Sequence, residues 1–499
     1  MSYKINLSDL SRDADVSLTQ QLAERFIDAI DGGLLEPGEK LPPTRELAAQ
    51  AGVNHLTAAR VYRKLAERGY VTASVGRGTF VRTLAPAGSE EHGDDWQAYA
   101  LPEYDVTYPE QVLVEAFDSA RRPEVVSLAV GWPSPRLYPT EELARITAEV
   151  FAQEGGEALS YLPAEGLEEL REQLAARGRR FGFAEDAGEI VVTSGAKQGI
   201  SLAARATLED GDVAVIESPT FVGMLESLRH TGARTIGVPV DEDGLDVDAF
   251  ERLLARHEVK LLALQTACQN PTGRSLSEKR RERLAQLAVE RNFFILEDRT
   301  YADACFEGAP RRSLRALAPA HVIYVNSLSK VVGGGLRAGW VAARGPVRDR
   351  IAMLKLENDF HSPTLIQHIV ARWLAEGSYD RHLERTLPYY RERRDALLAA
   401  LDRHLPGEYH ADVPRGGHHL WVTLARPVDE RALYAEAARH GVNFTPGGAV
   451  TVERRMQTSM RLSFSLLEPP ELDEGVRRLA RAIREVRRRS RHALAAPMS

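Results

Sequence analysis

The chain has 499 residues, 43% of them apolar and 27% charged, and a formal charge of −7. That length exceeds one domain and predicts about two to four, with the composition of a soluble globular protein that has large cores. The negative balance gives no overall attraction to nucleic acid or an anionic membrane, so a DNA-binding function needs a local basic surface. The only cysteines, Cys268 and Cys305, are too few for a disulfide framework and fit a reducing cytoplasm. The opening MSYKINLSDL lacks the basic-then-apolar pattern of a signal peptide. No apolar run is long enough to span a bilayer, so no membrane role is expected.

Residues 1–83 form the first expected unit. Leu18, Leu22, Phe26 and Ile30 recur every four residues, which predicts an amphipathic helix ended by the turn Pro37-Gly38. Thr44 stands where an N-cap belongs, ahead of a short helix stopped at Gly52. Asn54 is the next N-cap, opening a helix from about His55 to Arg68 with Ala58, Val61 and Leu65 on its inner face. Tyr70-Val71-Thr72 and the run from Val75 to Val81 predict two short strands around a tight turn. Helix, helix-turn-helix and hairpin is the layout of a winged helix. Arg45, Arg60, Lys64 and Arg77 lie on its second half, as phosphate contact and groove reading require. A small helical packing domain with a solvated charged face is the alternative.

The stretch EPGEKLPPTRELAAQAGVNHLTAARVYRKLAERGYVTASVGRGTFV resembles the GntR-type winged helix nearly residue for residue. The resemblance implies DNA contacts at Arg45, Thr57, Arg60 and the wing Gly78, beside the basic Lys64 and Arg77. Residues 84–122 are expected as a linker. The part to Asp95 is rich in Ala, Pro, Gly, Ser and acidic residues, and the rest mixes aromatic and acidic residues that could pack on the next domain.

From about residue 123 to 490 strands and helices alternate, which predicts a mostly parallel sheet covered on both faces, with ligands at the carboxyl ends of its strands. EIVVT, ending at Thr193, leads into Ser194-Gly195-Ala196-Lys197, where small residues let backbone N–H groups meet a phosphate on a helix dipole. Taken alone, those residues favour a plain tight turn. VAVIE leads to Phe221, which could stack on a flat heterocycle or simply pack. The strand to Gln265 precedes Asn270, with donors and an acceptor to spare. FFIL ends in Glu297-Asp298, with Tyr301 beyond. Asp298 could be a helix cap or could keep a pyridinium nitrogen protonated. The strand Val322–Val325 delivers Ser327, Ser329 and Lys330, with Arg337 after a glycine-rich turn. An amine there suits an aldehyde cofactor, and hydroxyls and a guanidinium suit its phosphate.

In this order these residues resemble the fold-type I, class I/II aminotransferases, which bind pyridoxal 5′-phosphate. The resemblance runs from Gly131-Trp132-Pro133 through Tyr161 to Arg461-Leu462-Ser463. It implies a three-layer α/β/α large domain, about 165–400, and a smaller α+β domain from 123–164 and 401–490, with 491–499 as a tail. It also implies an internal aldimine on Lys330 and a ring-nitrogen partner in Asp298. The ring hydroxyl falls to Asn270 and Tyr301, and ring stacking to Phe221. Ser194, Gly195, Ala196, Lys197, Ser327, Ser329 and Arg337 surround the phosphate. Arg461, with Gly131 and Asn270, takes a substrate carboxylate. Tyr161 reaches the phosphate of a partner subunit. No metal is implied.

Three departures stand out: Lys197 where Ser or Gln is common, the three-residue step from Asp298 to Tyr301, and Arg299 in place of an acidic residue. A winged helix joined to such a domain resembles the MocR/GabR subfamily of bacterial regulators. The resemblance implies a cytoplasmic, head-to-tail homodimer on double-stranded operator DNA that senses pyridoxal phosphate, an amine or an amino acid through an aldimine. An active aminotransferase acting on an amino acid and a 2-oxo acid is the alternative. The basic run from Val476 to Arg491 is expected as a closing helix with a solvated side.

Overall fold

The computed structural model describes residues 10, 16–74, 78–82, 107–308, 312–453 and 458–495. The chain divides into two compact units, Met1–Asp105 and Val106–Ser499. In the first, α1 (Leu18–Asp31), α2 (Thr44–Ala51) and α3 (His55–Glu67) precede an antiparallel hairpin of β1 (Val71–Ser74) and β2 (Gly78–Val81). Ser17 caps α1 by accepting from the Gln20 N–H, and Asn54 caps α3 by accepting from the Thr57 N–H at 2.7 Å. Thr44 is the first residue of α2 rather than its cap. Pro43 holds the cap position, where its fixed φ suits the entry and no side-chain bond is made. Leu22, Phe26, Leu47, Ala58, Val61 and Leu65 are fully buried in one core. The helical spacing of the apolar residues thus closes the three helices on each other, and leaves Arg45 and Arg60 exposed.

The second unit begins with α4 (Tyr108–Ser119), β3 (Val126–Ser127), α5 (Thr140–Glu154) and α6 (Glu168–Phe181). The alternating section holds β4 (Ile190–Thr193), α7 (Ala196–Thr207), β5 (Val213–Ser218), α8 (Val222–Arg229), β6 (Arg234–Asp241) and β7 (Gly244–Leu245). It continues with α9 (Val247–Leu254), β8 (Val259–Gln265), α10 (Glu278–Arg291), β9 (Phe294–Asp298), β10 (Val322–Ser327) and β11 (Gly339–Ala342). Then come α11 (Pro346–Asp359), α12 (Thr364–Ala375) and α13 (Ser378–His404). The remaining elements are β12 (Tyr409–Ala411), β13 (His419–Leu424), α14 (Glu430–Arg439), β14 (Val442–Asn443), β15 (Thr445–Pro446), β16 (Ser459–Ser463) and α15 (Pro469–Ala495).

The large sheet has the order β4-β11-β10-β9-β8-β5-β6-β7. Strands β10, β9, β8, β5 and β6 are parallel, while β11 runs antiparallel to both β10 and β4. Side chains alternate between its two faces. On β10, Tyr324 enters one core while Ile323 and Val325 enter the other, and on β4 Ile190 and Val192 oppose Val191. Both faces are covered, which is why these strands are apolar runs. A smaller antiparallel sheet, β12-β13-β16-β15, packs with α13, α14 and α15 around a separate core.

Two segments differ from expectation. The stretch 84–122 is not linker throughout, because α4 lies within it and belongs to the second unit. Thr107 and Glu110 form a reciprocal capping box, with Pro109 in the first turn, so the helix start is chemically defined. Residues 83–106 fall outside the described residues. Residues 140–159, expected in the small domain, place Ile146, Val150 and Ala158 in the core of α6 and α12. Their apolar face matches that of α6, where Leu170 and Leu174 also repeat at i, i+4. Helix α15 buries Val476, Leu479, Ala480 and Ile483, and several of its arginines pair with Glu474, Glu408 and Glu436. It runs on through Ala495, into the expected tail; residues 496–499 lie outside the described residues. No helix among the described residues is long and apolar enough to cross a membrane.

Candidate cofactor site

Six strands of the large sheet run the same way, so their carboxyl ends share one edge. Lys197 and Phe221 follow β4 and β5, Asn270 follows β8, Asp298 ends β9, and Lys330 follows β10. A cavity of about 170 Å³ opens there. Ala196, Lys197, Phe221, Asn270, Asp298, Tyr301, Ser327, Ser329, Lys330 and Arg337 line it, together with Gln265 and Thr300. A second cavity of about 420 Å³ shares much of that lining and adds Gly131, His419, Arg461 and one face of α4.

Lys330 donates from Nζ to the Gly131 carbonyl at 2.9 Å. Burial, and next the Arg461 charge, push its ammonium down to about 8, against the pull of Asp298. About a tenth of the amine is therefore free at pH 7, far more than for an ordinary lysine, as a nucleophile needs. Asp298 is buried and accepts from Gln265 Nε2 at 2.6 Å and from the Thr300 N–H at 3.0 Å. Burial raises its carboxyl, and the Thr300 and Gln265 donors and Lys330 oppose the rise. Such a carboxylate gains from a cationic N–H in the cavity.

At the other end, Gly195 has φ +95° and precedes α7, whose first residues, Ala196 and Lys197, line the cavity. A Cβ on Gly195 would come within 2.8 Å of the Arg337 guanidinium, so glycine allows that close approach. Lys197 donates to the Gly223 carbonyl at 2.6 Å and lies 3.3 Å from Glu226. Ser194, expected in the phosphate set, lines neither cavity. Its N–H donates to Gln198, its hydroxyl meets Asp359 and Ser362, and its carbonyl accepts from Arg337. Those partners turn it away from the cavity, where it shapes the turn.

Arg461, on β16, donates to Asn270 Oδ1 at 2.8 Å, to Thr445 Oγ1 at 2.9 Å and to the Ala129 carbonyl. Its Nε is buried with no partner among the described residues, and burial lowers the guanidinium to about 10. Tyr301 meets His419 Nε2 through its hydroxyl at 2.9 Å, and burial pushes its phenol far up. Tyr161 is not brought to the cavity. It is 87% exposed and stands edge-on to His361.

In the first unit Arg60 and Arg45 are exposed and Thr57 sits in the first turn of α3. Lys64 instead reaches back to Gln20 on α1. Gly78 opens β2 beside Lys40, a basic residue that sequence reading passed over, and Arg77 lies outside the described residues.

A nucleophilic lysine, a buried acid and a helix N-terminus around one cavity fit an aldehyde on a phosphorylated pyridine. Residues 123–479 match the family described as aminotransferase class I and II. The chain belongs to that family. Residues 18–81 match the bacterial regulatory proteins of the gntR family. The HTH-type transcriptional regulator YisV of Bacillus subtilis is 29% identical, over 95% of this chain and 98% of its own. The "probable rhizopine catabolism regulatory protein MocR" of Rhizobium meliloti is 27% identical over 95% of each chain. LysN, the α-aminoadipate aminotransferase of Thermus thermophilus, solved with N-(5′-phosphopyridoxyl)-L-leucine, superposes with a TM-score of 0.70 at 33% identity. That match covers 76% of this chain and 95% of LysN. The architecture is therefore that of a MocR-type regulator, a GntR helix-turn-helix domain plus a fold-type I aminotransferase domain, and pyridoxal phosphate is its cofactor.

Around the cofactor cavity of this MocR-type chain stand residues that no motif singled out. Gln265 bridges Asp298 and the Asn270 N–H, which binds at 2.8 Å to its Oε1. Gln265 faces Asp298 directly across the β8–β9 ladder, a register invisible in a linear pattern. Arg299 turns away, donating to Thr266 and lying 3.7 Å from Glu297. Glu217 is fully buried and accepts from the Gln265 N–H at 2.8 Å. Burial raises its carboxyl to about 8 despite that bond. Its folded value exceeds the unfolded one, so the native state holds the extra proton and stability falls as pH rises towards 8. Glu217→Gln is expected to leave the melting temperature of the second unit unchanged at pH 5 and to raise it by several degrees at pH 8.5. Equal melting curves at both pH values would remove the buried-acid assignment.

Proposed function

We propose that the protein is a transcription regulator that binds operator DNA as a dimer and senses pyridoxal phosphate or an amino compound in its second unit. One observation carries the reading: the amine of Lys330 and the buried carboxyl of Asp298 share a single cavity, in a chain that also matches the gntR family. When bound, pyridoxal phosphate supplies an aldehyde that condenses with amines and a ring that withdraws electrons. In this reading Lys330 holds the aldehyde carbon and Asp298 keeps a proton on the ring nitrogen. Asn270 and Tyr301 donate to the ring hydroxyl, and Phe221 covers the ring face. The N–H groups of Ala196 and Lys197, with Ser327, Ser329 and Arg337, surround the phosphate at the Gly195 turn. Arg461 and Gly131 receive the carboxylate of an amino acid.

An exposed apolar face supports the dimer. Tyr161 touches His361, and the Ser160 carbonyl accepts from Thr364. This brings exposed Leu159 and Tyr161 beside exposed Phe360. A second copy would cover them, with the partner's phosphate as the expected contact of Tyr161. A ligand shifts DNA affinity only if it binds two conformations differently, so the effect is reciprocal.

The test is fluorescence anisotropy with the protein's own upstream DNA, with and without pyridoxal phosphate and a panel of amino acids and amines. A change in DNA affinity that saturates with one of them supports the sensor. No change with any would refute it. Arg60→Ala is expected to weaken DNA binding about tenfold, within the 1–3 kcal/mol typical of a lost side-chain contact, without altering cofactor content. Undiminished binding would place the DNA face elsewhere. Because the whole residue set for amino-group transfer lines the cavity, turnover is the second reading. Repeated conversion of an amino acid and a 2-oxo acid would establish it.

A further inference from the structure

The two cysteines of the chain, 37 residues apart in sequence, meet. Cys268 Sγ and Cys305 Sγ are 2.9 Å apart and neither is in a disulfide. A disulfide has its sulfurs at about 2.05 Å, so a side-chain shift under about 1 Å would join them. Glycines clear the space around them. A Cβ on Gly416 would lie 2.6 Å from the Cys268 sulfur and 2.5 Å from Cys305 Cα.

Each thiol sits on a loop that carries a cofactor-cavity residue. Cys268 lies two residues before Asn270, with the left-handed φ of +46° that is uncommon outside glycine. Its N–H is held by Ser275 Oγ at 3.0 Å. Cys305 follows the short turn that begins at Tyr301 and pairs through its backbone with Gly416. Cys268 is buried, whereas Cys305 is partly open to solvent. Oxidant therefore reaches Cys305 first, and Cys268 stands ready behind it.

We propose that Cys268 and Cys305 form a hydroperoxide-oxidised dithiol site whose disulfide fastens the Asn270 loop to the Tyr301 loop and so changes cofactor binding. The Cys305 thiolate attacks the terminal oxygen of a hydroperoxide, giving a sulfenic acid and releasing the alcohol, or water from hydrogen peroxide. The Cys268 sulfur then attacks the Cys305 sulfur, and the hydroxyl leaves as water with the Cys268 proton. Two thiols and one hydroperoxide thus give one disulfide, one alcohol and one water. The Cys305 sulfur beside it and then burial raise the Cys268 thiol well above the ordinary range, and only Cys305 of the two is open to solvent, so the first step falls to Cys305. A cytoplasmic thiol pool would restore the pair.

The purified full chain loaded with pyridoxal phosphate is treated with a small excess of hydrogen peroxide. Its intact mass, proteolytic map and cofactor affinity are then measured before and after reduction by dithiothreitol. The expected result is loss of the mass of two hydrogens and a single peptide pair linking Cys268 to Cys305. Affinity for pyridoxal phosphate should also shift about threefold or more and return on reduction. Cys305→Ser and Cys268→Ala should each lose both the linked pair and the peroxide-dependent shift. Separate sulfinic acids, links between chains, or a disulfide that leaves cofactor affinity unchanged would each overturn the proposal. The peptide map does not depend on the cofactor reading. A linked pair in protein that takes up no pyridoxal phosphate would count against that reading and against the coupling, while leaving the oxidation site in place.

Discussion

Lys330→Ala protein is expected to purify folded, colourless and unable to retain pyridoxal phosphate through gel filtration. Among the described residues the Nζ donates to the Gly131 carbonyl, which also faces His418 Nδ1 at 3.3 Å. Removing the amine therefore leaves that carbonyl with a neighbouring donor, and the fold should hold. What disappears is the covalent hold on the cofactor, leaving only the ring and phosphate contacts. The loss is expected to be about a hundredfold or more in affinity, about 2.7 kcal/mol. Equilibrium dialysis gives the affinity, and borohydride reduction followed by peptide mapping shows whether any lysine becomes labelled. Cofactor uptake by the native chain should be faster at pH 9 than at pH 7, with its midpoint near pH 8, where half of Lys330 has lost its proton. A native-like visible spectrum in the variant, or a label on another lysine, would move the nucleophile.

Much of this site could be seen in the linear sequence because the sheet is parallel. Each buried strand is an apolar run, and the polar residue that ends the run must then lie at the shared carboxyl edge. Asp298 after FFIL and Lys330 after the Val322–Val325 run are legible for that reason. Contacts across the ladder are not. Gln265 belongs to the strand that leads to Asn270, and nothing in its neighbourhood announces Asp298. The two meet because β8 and β9 pair in that register. His419 is hidden similarly, reaching Tyr301 from β13 of the smaller sheet across 118 positions of sequence.

Two segments differ in how far the sequence signals them. Thr107 and Glu110 carry the capping-box spacing, with Pro109 where a first turn tolerates it, yet the aromatic and acidic mix around them masked α4. Ser194 has the small, hydroxylic character expected of a phosphate ligand, but composition cannot reveal that Gln198, one turn along α7, takes its N–H. Partners four residues away on a helix compete with a ligand for the same donor. Tyr161 is a different matter, since one chain alone does not bring it to the cavity.

Arg461→Leu should separate recognition from stability. In the native chain the guanidinium is held by three neutral oxygens, and no carboxylate pairs with it among the described residues. A desolvated charge without a counter-charge is costly, and its lowered value of about 10 expresses that cost. A shorter apolar residue removes the charge at the cost of some packing, so the unliganded variant should melt no more than a few degrees from the native protein. An amino-acid carboxylate is the missing counter-charge. Losing a buried, hydrogen-bonded charge pair is typically worth about 2–5 kcal/mol, so the affinity of the cofactor-loaded protein for amino acids should fall about thirtyfold to several thousandfold. A simple amine, which has no carboxylate to place, should bind both proteins alike. Titration by calorimetry and by the visible spectrum reads the two ligand classes side by side. Equal losses for amine and amino acid would mean that Arg461 acts by holding Asn270, and unchanged binding of both would take it out of the recognition site.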